Sequence, residues 1–380
     1  MGPLTFLVGP NGAGKSNFLD ALRFVADSLR TSLDHALRER GGIAEVRRRS
    51  GGHPTNFGIR LEFILPDGTL GHYAFEIGAR ERGQYEVQRE ECCLSESGAL
   101  SDVAFFRVRG GLVSSSERNP PVALADRLYL VNASGLPAFR PVFDALSNMG
   151  FYNLSPAQIR TLQTPDAGTL LAREGSNLAS VLSQLEKQRP VVKERIEEYL
   201  GKIVPGVRGV EAKTIGPMET PEFRQGVAGA RYPWRFLAGN MSDGTLRALG
   251  VLTALFQSGN GARPHVPLVG IEEPEVALHP AAAGVLVDAL RQASRERQVI
   301  VTSHSPDLLN DERLRAEQIL AVEAQEGVTY IAPLNEVGRS ALNDRLCTAG
   351  ELLQLDQLTP DPEIIQRVSE FQLRLFDEGD

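Results

Sequence analysis

The chain has 380 residues, 42% of them hydrophobic, enough to bury a substantial core and, by length, to form two or three domains. Its formal net charge of −8 supplies no global positive field for DNA, RNA or anionic lipid, so any contact with nucleic acid has to be local. No apolar run approaches the roughly 18 residues that cross a bilayer, no signal-peptide pattern opens the chain, and Cys92, Cys93 and Cys347 match neither a disulfide framework nor a metal-ligand spacing, which together point to the cytoplasm.

Leu4 to Val8 reads as a short buried strand, Gly9 to Gly14 as a loop, and Ser16 to about Arg40 as a helix carrying Phe18, Leu22, Val25, Leu29 and Leu33 at helical spacing. The basic run Arg47-Arg48-Arg49, with Arg38 and Arg40 upstream, is either a phosphate contact or a solvated face. Between about Phe57 and Val108, short β-like runs separated by turns such as Pro66-Asp67-Gly68 predict an antiparallel sheet. From about Pro120 to Gln225 the pattern is mostly helical, clearest over Ser176 to Gln188, where Ser176 is the expected cap. Thereafter a helix over about 242–256, a strand over 266–271, a helix over 280–296, a strand over 299–302 and two further strands near 318–323 and 328–332 alternate as in a parallel sheet with crossovers. There is no internal repeat and no sustained heptad.

Gly9-Pro10-Asn11-Gly12-Ala13-Gly14-Lys15-Ser16 fits the G-x-x-x-x-G-K-[ST] pattern between a predicted strand and a predicted helix. The glycines let backbone N–H groups point at a β-phosphate, and the helix directs its positive end there. Lys15 would bridge the β- and γ-phosphate oxygens, and the Ser16 hydroxyl would be a ligand of Mg²⁺. Only five of the 40 basic residues are lysine, yet position 15 is one of them.

Leu268-Val269-Gly270-Ile271-Glu272-Glu273-Pro274-Glu275 is an apolar run ending in acids, expected to present carboxylates at the C-terminal edge of a buried strand, where α/β sheets bind ligands. Glu272 would hold Mg²⁺, and Glu273 would act as general base toward water. A second apolar strand ends in Thr302-Ser303-His304-Ser305, where a neutral imidazole at His304 can bond a γ-phosphate or position the water. Met241-Ser242-Asp243-Gly244-Thr245 precedes a helix with Leu246, Leu249, Leu252 and Phe256 on one face. Ser242 or Asp243 is there a helix cap, or Ser242 and the Gly244 amide contact a γ-phosphate held by another subunit.

In this order GPNGAGKSN, MSDGT, IEEPE and TSHSP resemble the ABC-type AAA ATPases grouped with the OLD, RecF and structural-maintenance-of-chromosomes proteins, over about Leu4–Leu37 and Phe236–Leu309; EGSNLASVL is similar to a family of stand-alone predicted ATPases. The resemblance implies an α/β P-loop NTPase of ABC-ATPase head type, a mixed sheet with an antiparallel N-terminal subdomain and a mostly helical insertion. It also extends the phosphate site to Asn17 and implies a homodimer sandwiching two ATPs, with Lys15, Ser16, Glu272 and Glu273 of one head facing Ser242 and Gly244 of the other. Val276-Ala277-Leu278-His279 falls where such proteins carry a D-loop, with His279 where Asp is common. Glu272 stands where many relatives have Asp. Only seven residues, Gly2 to Val8, separate Met1 from Gly9 where relatives have a further strand, which reads as a trimmed or misassigned start. For the Q-loop glutamine, Gln84, Gln88 and Gln158 are the candidates.

The expected organisation is an N-terminal ATPase lobe over 1–110, a mostly helical insertion over 111–230, a C-terminal ATPase lobe over 231–335 and a helical tail over 336–380. The leading functional expectation is a Mg²⁺-ATP-dependent ATPase whose dimer closes on ATP and acts on DNA or a separately encoded effector, in genome maintenance or phage defence. The alternatives are a nucleotide-dependent scaffold with little turnover and a transporter's nucleotide-binding subunit, the latter opposed by the long insertion and by MSDGT in place of LSGGQ.

Overall fold

In the computed structural model, residues 1–46, 56–95, 103–257, 266–371 and 375–376 are described, with side chains of 368–371 outside that description, so the Arg47-Arg48-Arg49 run lies outside the described residues. Contacts divide the chain into two units, one formed by Met1–Leu19 and Gly150–Gln366 and the other by Asp20–Met149 with the described residues from Arg367 onward.

The first unit is built on a six-stranded sheet in the order Val328–Pro333, Ile319–Gln325, Leu4–Val8, Gln298–Ser303, Leu268–Glu272, Gly150–Tyr152. Only the first strand is antiparallel to its neighbour; the others are parallel. The apolar runs that predicted strands are what a parallel sheet covered on both faces requires, and all five residues of Leu4–Val8 are buried. Because Val8 pairs with Ser303 and Glu272 with Thr302, three parallel strands end at one level. The helix Asp243–Phe256 is buried without interruption from Thr245 to Phe256, so its hydrophobic content is a core property, not that of an exposed amphipathic face. Helices Leu178–Gln188, Pro190–Ile203 and Ala283–Ala293 contribute to the same hydrophobic core.

Three details differ from the sequence reading. The stretch expected to be mostly helical also contains the antiparallel pair Val207–Ile215 and Met218–Gln225, and Met218–Gln225 pairs in turn with Trp234–Leu237; Gly216, at φ +60°, lets the chain reverse between the first two. Asn177, not Ser176, occupies the cap position of Leu178–Gln188 and makes no side-chain cap bond. Its amide is committed elsewhere, accepting from Ala172 N at 2.7 Å and donating to Asp166 at 2.8 Å. The long first helix ends at Arg30, and Ser32, extended at φ −163°, caps a separate helix Leu33–Arg38 by accepting from His35 N.

The second unit carries a five-stranded antiparallel meander, Asn56–Ile64, Leu70–Ala79, Tyr85–Ser95, Ala104–Arg109 and Leu112–Ser115. The Pro66-Asp67-Gly68 turn joins the first two strands, with Gly68 at φ +87° and Asp67 accepting from Thr69 N at 3.0 Å. Buried Glu90 on the third strand accepts from Tyr73 Oη and from the amides of Tyr129 and Leu130, which fastens the start of helix Tyr129–Ala133 to the sheet. Arg40 is ion-paired to Asp20 and Asp27, and Arg38 to Asp34, so both upstream arginines of the basic stretch have intrachain carboxylate partners. No helix among the described residues is long and apolar enough to cross a membrane.

Candidate nucleotide site

The phosphate loop connects the Leu4–Val8 strand to the helix Lys15–Arg30. Two of its glycines are required by close packing: a Cβ on Gly9 would lie 2.1 Å from Val322 O, and one on Gly14 would lie 2.1 Å from Thr329 Oγ1. Gly12 has open space around it but sits at φ +80°, a left-handed conformation that other residues rarely adopt. Lys15 is only 6% exposed, and its Nζ donates to Gly9 O at 2.7 Å and Pro10 O at 2.9 Å, closing the loop on itself. Burial lowers the pKa of its ammonium, opposed by the Glu273 and Glu275 carboxylates. Ala13 is buried, Pro10 accepts from its amide, and Asn11, Ser16 and Asn17 are exposed. No acid occupies the first turn of the helix, where it would compete with an anionic ligand for the helix's positive end.

The acidic strand end lies in the same sheet, one strand removed. Glu273 adopts φ +44°, unusual for a non-glycine residue, and is held there by its amide, which donates to Thr302 O at 3.0 Å, and by its carbonyl, which accepts from Arg247 at 2.9 Å. Its Oε1 is 2.9 Å from His304 Nδ1, so the expected base and the expected switch histidine form a pair. An Nδ1–H donating to the carboxylate leaves Nε2 as an acceptor. Glu272, the last residue of its strand, receives Arg173 Nη2 at 3.0 Å.

Ser242 and Gly244 lie at the start of the helix Asp243–Phe256, whose Arg247, one turn further on, donates to the Glu273 carbonyl. Ser242 caps the buried helix, accepting from Thr245 N at 3.3 Å, with its Oγ 2.9 Å from Thr245 Oγ1. A Cβ on Gly244 would lie 2.4 Å from Ala277 O, so this glycine admits the backbone of the Val276–His279 segment. Exposed His279 accepts from Ala281 N at 3.1 Å and caps the turn that follows.

Sequence reasoning missed four side chains at the acidic edge. Arg247 is 7% exposed and donates to the carbonyls of Leu154, Glu272 and Glu273, tying the buried helix to the acidic turn. Burial lowers its pKa, opposed by Glu275, Glu273 and Glu272. Arg173 is the ion-pair partner of Glu272, just before the EGSNLASVL stretch, where the only signal was a family likeness. Glu275 accepts from Ser303 Oγ at 2.6 Å; burial raises its carboxyl pKa, opposed by that bond, and its Oε2 has no hydrogen-bond partner among the described residues. One residue past the Tyr152–Ile271 pair, Asn153 and Glu272 leave adjacent parallel strands at one edge. Gln84 and Gln88 belong to the second unit, where Gln88 accepts from Asn56, and Gln158 lies on the short helix Pro156–Arg160 with its amide on Ser155 Oγ. The sheet sets Asn153 at the level of Glu272.

Among the described residues no group of three His, Cys, Asp or Glu side chains could hold a metal by itself. Ser16 Oγ and the Glu272 carboxylate are hard oxygen donors, a set that fits Mg²⁺, which takes one or two protein oxygens and completes its shell with phosphate and water. Lys15 beside the glycine loop fits the polyphosphate.

No curated protein matches the chain. Among solved structures, it is similar to an Smc head bound to the C-winged helix domain of ScpA, with a TM-score of 0.52 and 15% identity over 89% of this chain and 91% of that one. It is also similar to the Smc head domain with an extended coiled coil from Pyrococcus furiosus, bound to the C-terminal domain of ScpA (TM-score 0.47, 13% identity, 90% and 93% covered), and to the SMC head domain from Thermotoga maritima (TM-score 0.40, 15% identity, 87% and 90% covered). The first of these shows the fold to be that of an Smc head domain. A family model described as "AAA domain, putative AbiEii toxin, Type IV TA system" matches residues 4–310, from the P-loop strand to just beyond His304, and the chain belongs to that family.

Proposed function

We propose that this protein hydrolyses ATP to ADP and phosphate, with Glu273 as general base and Lys15 as the phosphate-binding cation. The observation that carries the reading is the meeting, at one edge of a parallel sheet, of the P-loop lysine with a Glu273–His304 pair 2.9 Å apart. Lys15 supplies positive charge to the β- and γ-phosphate oxygens, together with the loop amides and the helix N-terminus. Glu273 takes a proton from water as the water oxygen bonds to the γ-phosphorus and the bridging P–O bond breaks toward ADP. His304 holds the carboxylate in place, and Arg247 holds the backbone from which it projects. Mg²⁺, when bound, neutralises phosphate charge, and Ser16 and Glu272 are the residues that would hold it.

The composite site completes the reading. Ser242 is exposed at the N-terminus of a buried helix, which suits a role toward nucleotide on a second copy and closure of a homodimer around ATP. Its output is action on DNA or on a separately encoded effector, in the cytoplasm; the family description, naming a type IV toxin–antitoxin system, supports defence over genome maintenance. One observation favours a slower scaffold instead: Arg173 already neutralises Glu272.

Steady-state ATPase assays with nucleotide-binding measurements test the reading. Lys15→Ala is expected to lose ATP binding, and Glu273→Gln to retain binding while hydrolysis falls on the order of 100-fold or more. Unchanged turnover in Glu273→Gln would remove the assigned base, and a wild-type protein that binds ATP without hydrolysing it would establish the scaffold.

A further inference from the structure

Between strands Met218–Gln225 and Trp234–Leu237 the chain makes an eight-residue connection, longer than the two to five residues usual for a hairpin. It turns at Val227–Ala230, with Gly229 at φ +81°, and residues 227–234 line a surface hollow of about 560 Å³. Tyr232 is 69% exposed and Trp234 56% exposed. The Trp234 and Phe236 rings stack at 6.4 Å and 29°, and the Arg231 guanidinium lies 5.4 Å from the Tyr232 ring centre. Trp234–Leu237 is an edge strand, paired among the described residues only with Met218–Gln225, so this aromatic run stands at a sheet margin.

Charge identifies the partner. From Phe223 to Ser242 there is no acidic residue and there are three arginines, in a chain whose net charge is −8. Arg224 and Arg235 are engaged by Glu211 and Glu222 and brace the hairpin. Arg231 and Arg208, the latter beside Gly226 at the base of the loop, have no ion-pair partner among the described residues. Open aromatic faces with unneutralised guanidinium groups are what stacked bases and their phosphates require, whereas a duplex hides its base faces. We infer that the hairpin arm 226–237 is a docking platform for single-stranded nucleic acid, with Tyr232 and Trp234 stacking on bases and Arg231 and Arg208 meeting phosphates.

Trp234 is the sole tryptophan, so its emission reports this surface alone. The full-length protein is titrated with a fluorescein-labelled 20-mer of deoxythymidine, following label anisotropy and Trp234 emission. The expected result is quenching of Trp234 concurrent with binding, affinity that falls as salt rises, and a loss on the order of tenfold in each of Tyr232→Ala and Arg231→Ala, with ATPase activity unchanged. Absence of binding overturns the inference. So does binding that leaves Trp234 emission unaltered, since the strand then lies elsewhere. A Trp234 response to Mg²⁺-ATP alone in Glu273→Gln, with none to the oligonucleotide, would assign the arm to a second copy of the chain instead.

Discussion

Glu273 combines a left-handed backbone with four fastenings: Thr302 on its amide, Arg247 on its carbonyl, His304 on its carboxylate and the Glu272 strand behind it. Such a conformation costs about 1–3 kcal/mol and persists only where surroundings enforce it. Two residues on, Glu275 is bonded through Ser303, whose Oγ also accepts from Ser305 N at 3.1 Å, so Glu275 steadies the turn carrying His304. Glu275→Gln keeps an acceptor for Ser303 and is expected to retain near-normal hydrolysis. Glu275→Leu removes the acceptor, and its turnover is expected to fall roughly fivefold or more, the loss of one buried hydrogen bond, with ATP affinity kept. Equal rates in both variants would show that Glu275 does not position His304. Position along the chain was enough to suggest Lys15, Glu273 and His304, because each ends an apolar run or a glycine motif. Arg173 and Arg247 were illegible for the opposite reason: they contact Glu272 and Glu273 across 99 and 25 to 26 positions of sequence, and neither sits in a pattern that marks an acid's partner.

Secondary-structure elements were legible where hydrophobic period decided them and less so where local geometry did. The parallel strands and the meander follow from apolar runs and turn residues, whereas the Thr31-Ser32 break in the first helix and the hairpin around Gly216 depend on backbone choices that no period records. Ser242 caps a helix that is buried almost throughout, so Ser242→Ala is expected to lower stability by about 1 kcal/mol through the lost cap, readable by denaturant melting. If stability is instead unchanged while ATP-dependent association disappears, the serine serves the interface and not the helix. Glu90 sets another element-level property. Three donors favour its carboxylate, yet burial dominates and raises its pKa from 4.5 to about 7. A carboxyl pKa raised on folding contributes stability that is full below pH 4.5 and is lost as pH rises through about 7, because the folded protein binds more protons than the unfolded chain across that window. The difference amounts to roughly 3 kcal/mol. Melts of wild type should therefore show a decline between pH 4.5 and 7 that Glu90→Gln lacks, even though the glutamine variant is less stable throughout, its amide facing the Tyr129 N–H. Parallel pH profiles would place the titration elsewhere.

For the whole molecule, the decisive quantity is the number of chains that complete one nucleotide site. Within a chain, Ser242 bonds Thr245 and Gly244 packs on Ala277. A helix N-terminus with an exposed serine, and Asp243 as the acid of its first turn, is directed toward whatever lies outside the chain. Were that ligand the γ-phosphate of a second copy, Asp243 would repel it, and the ion pair Arg160 makes with Asp243 offsets this charge. On the proposed reading nucleotide would then act as the cement between two copies, and a base variant that binds without hydrolysing should hold them together. The solution mass of Glu273→Gln is accordingly expected to double with Mg²⁺-ATP and to remain that of one chain with Mg²⁺-ADP. Arg160→Ala, which bares the Asp243 charge, should weaken the ATP-dependent dimer without altering ATP binding by the monomer. A mass that does not respond to ATP, in a protein shown to bind it, would confine Ser242 to its capping role and leave catalysis to a single chain.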